Sequence, residues 1–180
     1  QAFNAAINFF YQLQKYENVI GISKKKELSM INDAWTTYRI GEAMFAQGDY
    51  LNARNYFEHA VKLKPLQLDF KVKLGSVYVQ LNNLQAAKIQ FESVKKENPK
   101  YAPAWNNLGY VFLLMKQDKT AELHYDEALA LDPDYISAML NKAGLHFYRN
   151  EKAKGLEWVK KVIKIDPNNS QALNILKQMK

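Results

Sequence analysis

Residues 102–135 read APAWNNLGYVFLLMKQDKTAELHYDEALALDPDY, and this stretch decides the fold of the chain. Its apolar residues have helical spacing in two successive runs. The stretch closes at Asp132-Pro133, because a proline disfavours the helical conformation in the residue before it. The pattern therefore predicts two consecutive helices that bury their apolar faces.

The same pattern recurs along the chain with a period of 34 residues. Four of the five prolines and three of the seven glycines follow this interval, as do an alanine and an aromatic position. The recurring residues are Pro65, Pro99, Pro133 and Pro167; Gly41, Gly75 and Gly109; Ala53, Ala87 and Ala121; and Phe57, Phe91 and Tyr125. A fixed period of this length indicates a repeat protein. The repeats occupy residues 34–67, 68–101, 102–135 and 136–169.

Within this frame the residues follow the pattern W-x2-L-G-x2-Y, A-x3-F and P, best seen in Trp105, Leu108, Gly109, Ala121 and Tyr125. The sequence resembles the tetratricopeptide repeat (TPR) family over residues 34–169. The resemblance implies an all-α fold, the TPR alpha-solenoid, in which antiparallel helix pairs stack into a right-handed superhelix with a concave surface. Small residues at positions 8 and 20 of each repeat let the helix backbones approach closely.

The turn between the two helices of a repeat has its own signals. Gly48-Asp49 predicts a turn followed by the N-cap of the second helix in the first repeat. Asn82-Asn83 and Asn150 occupy the same turn in the second and fourth repeats, since asparagine tolerates the left-handed conformation.

The C-terminal segment, residues 170–180, is expected to form a capping helix. Ala172, Leu173 and Leu176 can pack on the last repeat, while the lysines and amides of the segment face water. The alternative is a further repeat that has been cut off.

The N-terminal segment, residues 1–33, does not fit the 34-residue frame. Its Ala6, Phe10 and Leu13 have the spacing of a second helix, which predicts a helical segment that is a degenerate repeat with altered connection lengths. A further helix is expected over residues 22–33. The start at Gln1 is neither an initiator methionine nor a signal peptide, so we expect a processed or cut chain.

The resemblance implies that the first helix of each repeat lines the concave surface. Position 6 holds a hydrogen-bond donor in every repeat: Arg39, Lys73, Asn107 and Asn141. This row resembles the asparagine ladders with which TPR proteins hold an extended peptide by its backbone, since an amide both donates and accepts. Arg39 and Lys73 could instead hold an acidic side chain or a C-terminal carboxylate. The alternative is that position 6 is polar only because it is exposed.

Four neighbouring side chains complete the predicted peptide-binding set. They are Tyr38, Asn106, Tyr110 and Tyr148. Aromatic residues on an exposed concave surface are typical anchors for a partner protein. The clamp that TPR co-chaperones use for a chaperone tail is not expected, because no repeat has Lys at position 5 or Asn at position 9.

The composition favours a non-enzymatic protein with no cofactor and no metal. There are no cysteines, and His59, His124 and His146 fall at repeat positions that do not share a face. The net charge is +7, but only three of the 25 basic residues are arginines, so nucleic acid is not an expected partner. No stretch is long and apolar enough to predict a transmembrane segment.

The sequence therefore predicts a protein–protein interaction module that binds a peptide segment or helix of a partner. The alternative is a scaffold or assembly factor that forms homo-oligomers or larger complexes through its N-terminal helices or convex face. An exposed aromatic pair at Tyr56 and Trp158, both at repeat position 23, would favour the scaffold. The cytoplasm and a bacterial periplasm or envelope are equally compatible with the composition.

Overall fold

The computed structural model describes residues 1–179, and all regular secondary structure in this range is helical. This confirms the predicted all-α fold class. The α-helices are α1 (Ala2–Gln12), α2 (Tyr16–Ser23), α3 (Ala34–Ala46), α4 (Tyr50–Leu63), α5 (Leu68–Gln80), α6 (Leu84–Glu97), α7 (Ala102–Leu114), α8 (Asp118–Leu131), α9 (Ile136–Tyr148), α10 (Lys152–Ile165) and α11 (Ser170–Gln178). A single 3-10 helix, Leu28–Met30, joins α2 to α3.

The chain divides into two compact units, Gln1–Gln90 and Phe91–Lys180, and the boundary falls within α6. In the first unit, Ile7, Ile40 and Phe57 belong to one buried apolar cluster, so α1 shares the core of the first repeat. In the second unit, Met139 and Val159 belong to a cluster formed between α9, α10 and α11. Burial of these apolar side chains is the main stabilising contribution to each unit.

Close approach within the helix pairs explains the small residues of the repeat. A Cβ atom at Gly41 would lie 3.0 Å from the ring of Phe57, and one at Gly109 would lie 2.6 Å from the ring of Tyr125. Both rings are completely buried. The aromatic residue at position 24 therefore occupies the volume that the missing side chain at position 8 leaves open, as the sequence predicted.

Five turns share one backbone geometry, and they are again 34 residues apart. Each has one residue in the left-handed region, followed by a residue whose N–H donates to the carbonyl five positions earlier. The left-handed residues are Gln14, Gly48, Asn82, Lys116 and Asn150, with φ between 55° and 78°. The predicted N-cap is confirmed, because the side chain of Asp49 accepts a hydrogen bond from the N–H of Asn52 at 3.2 Å.

The prediction that residues 1–33 leave the 34-residue frame was wrong. The turn at Gln14 is in register with the others, so α1 and α2 are the first and second helices of a fifth pair. The buried side chains Ile7, Val19 and Ser23 stand at repeat positions 8, 20 and 24. The pattern was invisible in the sequence because none of these three residues matches the glycine, alanine and aromatic residue of the repeat.

The helix expected over residues 22–33 is also absent, since α2 ends at Ser23 after eight residues. The Oγ atom of Ser23 donates to the carbonyl of Ile20 at 2.8 Å in the last turn of α2. The chain then returns to α3 through Ile31, which is buried and whose carbonyl lies 3.0 Å from Nε2 of His59. This burial holds the connection in a non-helical conformation that carries it to α3.

The C-terminal helix α11 starts at an N-cap, where Asn169 accepts from the N–H of Ala172 at 3.1 Å. Ala172 is buried, and Leu176 packs against the α9–α10 core. Leu173 was expected to pack there too, but it is 45% exposed because it lies on the outer side of the helix. Within residues 1–179, none of the helices has the length and apolarity that crossing a membrane requires.

Candidate functional site

The first helices of the second unit present matching rows of side chains. Positions 6, 9 and 13 of a repeat are three and four residues apart, so they lie on one side of a helix. We define the α7–α9 face by the side chains at these positions: Asn107, Tyr110 and Leu114 on α7, and Asn141, Gly144 and Tyr148 on α9.

A chain of amides fixes the polar part of the α7–α9 face. Nδ2 of Asn141 donates to Oδ1 of Asn106 at 2.8 Å, and Nδ2 of Asn106 donates to Oδ1 of Asn107 at 3.5 Å. Asn106 itself is only 4% exposed. Its side chain therefore orients its two neighbours and is not itself part of the accessible surface that the sequence predicted.

The remaining groups of these amides are a donor and an acceptor. Within the described part of the chain, neither Nδ2 of Asn107 nor Oδ1 of Asn141 has a hydrogen-bond partner. These are the two groups that can pair with the C=O and N–H of an extended backbone.

Apolar surface surrounds the amides. Tyr110 and Leu114 are each 40% exposed, and Tyr148 is 65% exposed. Gly144 adds an opening, because no heavy atom would lie within 4 Å of a Cβ built there. The face therefore combines open volume, exposed rings and oriented amides.

In the first unit, the predicted binding residue Arg39 is already in contact with α1. Its Nη1 donates to Oδ1 of Asn8 at 2.7 Å, and its guanidinium carbon lies 5.9 Å from the ring centroids of both Tyr11 and Trp35. Sequence reasoning missed Asn8 and Tyr11, because the register of α1 was not recognised. An acidic ligand at Arg39 would have to displace the hydrogen bond to Asn8.

Lys73 likewise has an internal partner. Its Nζ lies 3.0 Å from Oε1 of Glu42, and the hydroxyl of Tyr11 donates to Oε2 of the same carboxylate at 3.4 Å. Burial, reinforced by the negative charge of Glu42, raises the pKa of Tyr11 to about 12. Glu42 therefore neutralises one of the two cations that were predicted to attract an anion.

Tyr38 belongs to an aromatic cluster. Its ring stacks on Phe70 at 4.8 Å between centroids and meets the edges of Trp35 and Phe57. Burial first, and the charge of Glu42 second, raise the pKa of Tyr38 well above its ordinary value. Tyr38 thus contributes to packing between α3, α4 and α5, and it presents little free surface.

The exposed aromatic pair that would have favoured a scaffold is not formed. Tyr56 packs against the core of the first unit and Trp158 against the core of the second. The indole of Trp158 is also covered by Lys142 and Lys161, whose Nζ atoms lie 4.8 Å and 3.8 Å from its ring.

The histidines lie in separate surroundings. His124 donates or accepts at the carbonyl of Thr120, His146 contacts Glu151 at 2.6 Å, and His59 contacts the Ile31 carbonyl. Across residues 1–179, no three side chains of the kinds that bind metals are grouped around a common point.

Helix pairs stacked at a fixed 34-residue interval, with oriented amides on the first helices, define an α-solenoid interaction protein. Family models described as tetratricopeptide repeat match residues 44–109 and residues 102–135. Together these cover more than half of the chain, which belongs to the tetratricopeptide repeat family. This confirms both the predicted family and the TPR alpha-solenoid fold.

Two relatives have names but share modest identity. Tetratricopeptide repeat protein 6 of Homo sapiens is 27% identical over 145 residues, which are 79% of this chain and 28% of that protein. Uncharacterized protein ycf37 of Cyanophora paradoxa is 28% identical over 103 residues, which are 55% of this chain and 60% of that protein. The chain thus spans less than two thirds of the length of either relative.

Solved structures share the fold over nearly the whole chain. The TPR protein TTC0263 of Thermus thermophilus superimposes with a TM-score of 0.81 and 20% identity, covering 99% of this chain and 97% of that one. YrrB, described as a TPR protein with an unusual peptide-binding site, has a TM-score of 0.70 and 21% identity, covering 97% and 90%. At these identities the likeness shows the fold alone.

The matching family models describe a repeat and not an enzyme. One relative, Protein O-mannosyl-transferase TMTC3 of Homo sapiens, is named as a transferase. It is 24% identical over 77% of this chain, which is 17% of that protein. The family membership supports a general role in protein interaction.

Proposed function

We propose that the protein is a non-catalytic interaction module whose α7–α9 face binds an extended segment of another protein. The observation that carries this proposal is the amide chain from Asn141 through the buried Asn106 to Asn107. It holds one free donor and one free acceptor beside exposed tyrosine rings. Because these groups are oriented before binding, little ordering cost remains for the complex.

The chemistry of the face favours a backbone over a charged ligand. Its six defining side chains are neutral, and Asn107 and Asn141 can recognise any residue through its peptide group. Tyr110 and Tyr148 supply aromatic contact area, and the opening at Gly144 leaves room for a partner's side chain between them. We therefore expect a segment of low charge with an apolar or aromatic side chain at one position.

Arg39 and Lys73 take a different part in this proposal. Both are held by neighbours, Arg39 by Asn8 and Lys73 by Glu42. We propose that they bind an acidic residue of the same partner only after exchanging these contacts, so that they contribute less to affinity than the amides. Tyr38 and Asn106 position neighbouring side chains.

A peptide-display selection on the full chain tests the proposal. We expect selected peptides to bind the wild-type protein at least about tenfold more tightly than the Asn107→Ala/Tyr110→Ala variant, because the loss of an anchor commonly exceeds about 1.4 kcal/mol. The matched control is Asn55→Ala, which removes an exposed amide on α4. Equal affinity of all three proteins would refute binding at the α7–α9 face.

A further inference from the structure

The outward faces of α8 and α10 carry opposite charges at identical repeat positions. Positions 25 and 26 are Asp126 and Glu127 in α8, and Lys160 and Lys161 in α10, and all four residues are exposed. The two helices are the second members of consecutive pairs, so they run in the same direction. An acidic strip therefore lies beside a basic strip at the same height of the repeat.

Contacts within the chain leave much of this charge available. Asp126 is paired with Lys142, and its side chain remains 50% exposed. Lys161 covers the indole of Trp158. Among the described residues, Glu127 and Lys160 have no ion pair at all.

This arrangement is complementary to itself. A two-fold axis that passes between α8 and α10 at the height of positions 25 and 26 places α8 antiparallel to α10 of a second copy. Glu127 then faces Lys160 of the second copy, and Asp126 faces Lys161 of the second copy. By symmetry each contact occurs twice, as a two-fold interface requires.

Apolar side chains flank the charged residues on both helices. Leu123 on α8 is 65% exposed and Ile165 on α10 is 40% exposed. In the antiparallel arrangement, Leu123 of one copy meets the aliphatic stem of Lys164 and the side chain of Ile165 in the other. The surface thus offers apolar contact as well as charge, and the charges set the register.

We infer that the α8–α10 surface docks a second copy of this chain in a two-fold, antiparallel arrangement. Each 14-residue helix is about 21 Å long, and neighbouring helices are about 10 Å apart. The patch therefore covers about 400 Å² per copy, half the area of a standard stable interface. The dimer is weak and salt-sensitive, and it leaves the α7–α9 face free, since that face lies on the other helices.

Sedimentation equilibrium of the full chain tests the inference from about 10 μM to about 1 mM, at low salt and at about 0.5 M NaCl. We expect a concentration-dependent dimer whose dissociation constant rises at least about tenfold at high salt. Glu127→Lys and Lys160→Glu should each weaken the dimer at least about tenfold, because like charges then face each other. The double variant Glu127→Lys/Lys160→Glu should restore wild-type affinity, because the pair is re-formed with reversed polarity.

The control is Lys62→Glu, which makes the same charge change on the exposed face of α4 and should leave the dissociation constant unchanged. Circular dichroism melting establishes that every variant is folded. A monomer throughout the concentration range, single variants that dimerise normally, or a double variant that stays monomeric would each overturn the inference. Dimer loss in Asn107→Ala/Tyr110→Ala would overturn it too, by moving self-association to the α7–α9 face.

Discussion

Single residues carry the 34-residue period through their backbone conformation as well as their size. Gly48 has φ of 78°, and a Cβ built there would meet no heavy atom within 4 Å. Gly21, inside α2, is equally open, but its backbone is helical. The two glycines therefore separate backbone strain from steric crowding.

Substituting these two glycines by alanine should have opposite effects on the free energy of unfolding. Gly48→Ala should destabilise the protein by about 1–2 kcal/mol, because an L side chain is strained in the left-handed region. Gly21→Ala should stabilise it by about 0.5–1 kcal/mol, because alanine loses less backbone entropy in a helix. Urea denaturation measures both, and a similar effect of the two substitutions would contradict the turn geometry.

At the scale of elements, α1 is an integral part of the fold. Ile7 is completely buried in the core of the first unit, whereas Phe9 on the same helix is 57% exposed. Asn8 and Tyr11 also hold Arg39 and Glu42 of α3. The helix therefore supports both the core and the polar surface of the first repeat.

Truncating the buried residue of α1 should cost much more stability than truncating the exposed one. Ile7→Ala is expected to lower the free energy of unfolding by about 2–5 kcal/mol, the range for large-to-small core substitutions. Phe9→Ala should change it by about 0.5 kcal/mol or less, as for other surface positions. If chemical denaturation gives similar losses for both variants, α1 does not share the core.

The four central helix pairs were predictable from sequence because their signals are chemically distinctive. Glycine at Gly41 and Gly109 is required by the ring at position 24, and proline marks the repeat ends. The first pair was missed because Ile7 and Ser23 retain burial but lose that chemistry. The buried role of Asn106 was also unpredictable, since position 5 alone does not show which neighbour its amide meets.

At the scale of the whole molecule, acid removes the charges that balance an excess of basic residues. The 25 lysines and arginines and three histidines lose their 18 acidic counter-charges when the carboxylates protonate. Glu122 resists this, because the hydrogen bond that it accepts from Arg149 at 2.5 Å holds the pKa of Glu122 below its usual value. Its stabilising contribution is present above pH 4.5 and is lost as the pH falls through the lowered pKa.

Glu122→Gln should therefore reduce the pH dependence of the melting temperature below pH 4.5. The variant should also melt at a lower temperature than the wild type at neutral pH, where the ion pair is intact. Glu17→Gln, at an exposed position of α2, is the matched control and should keep the wild-type profile. Calorimetric melting from neutral pH to about pH 3 measures the difference; identical profiles would show that the Arg149 contact adds nothing.

The left-handed turns extend from Gln14 to Asn150 without a break, although five different side-chain environments surround them and only one turn has a glycine. A backbone torsion can thus serve as a ruler for counting structural units after their characteristic letters have changed. Substitutions can accumulate at Ile7, Val19 and Ser23 while the spacing of the hinge points stays fixed. Degenerate members at the ends of other solenoids should be recognisable by the same dihedral rhythm.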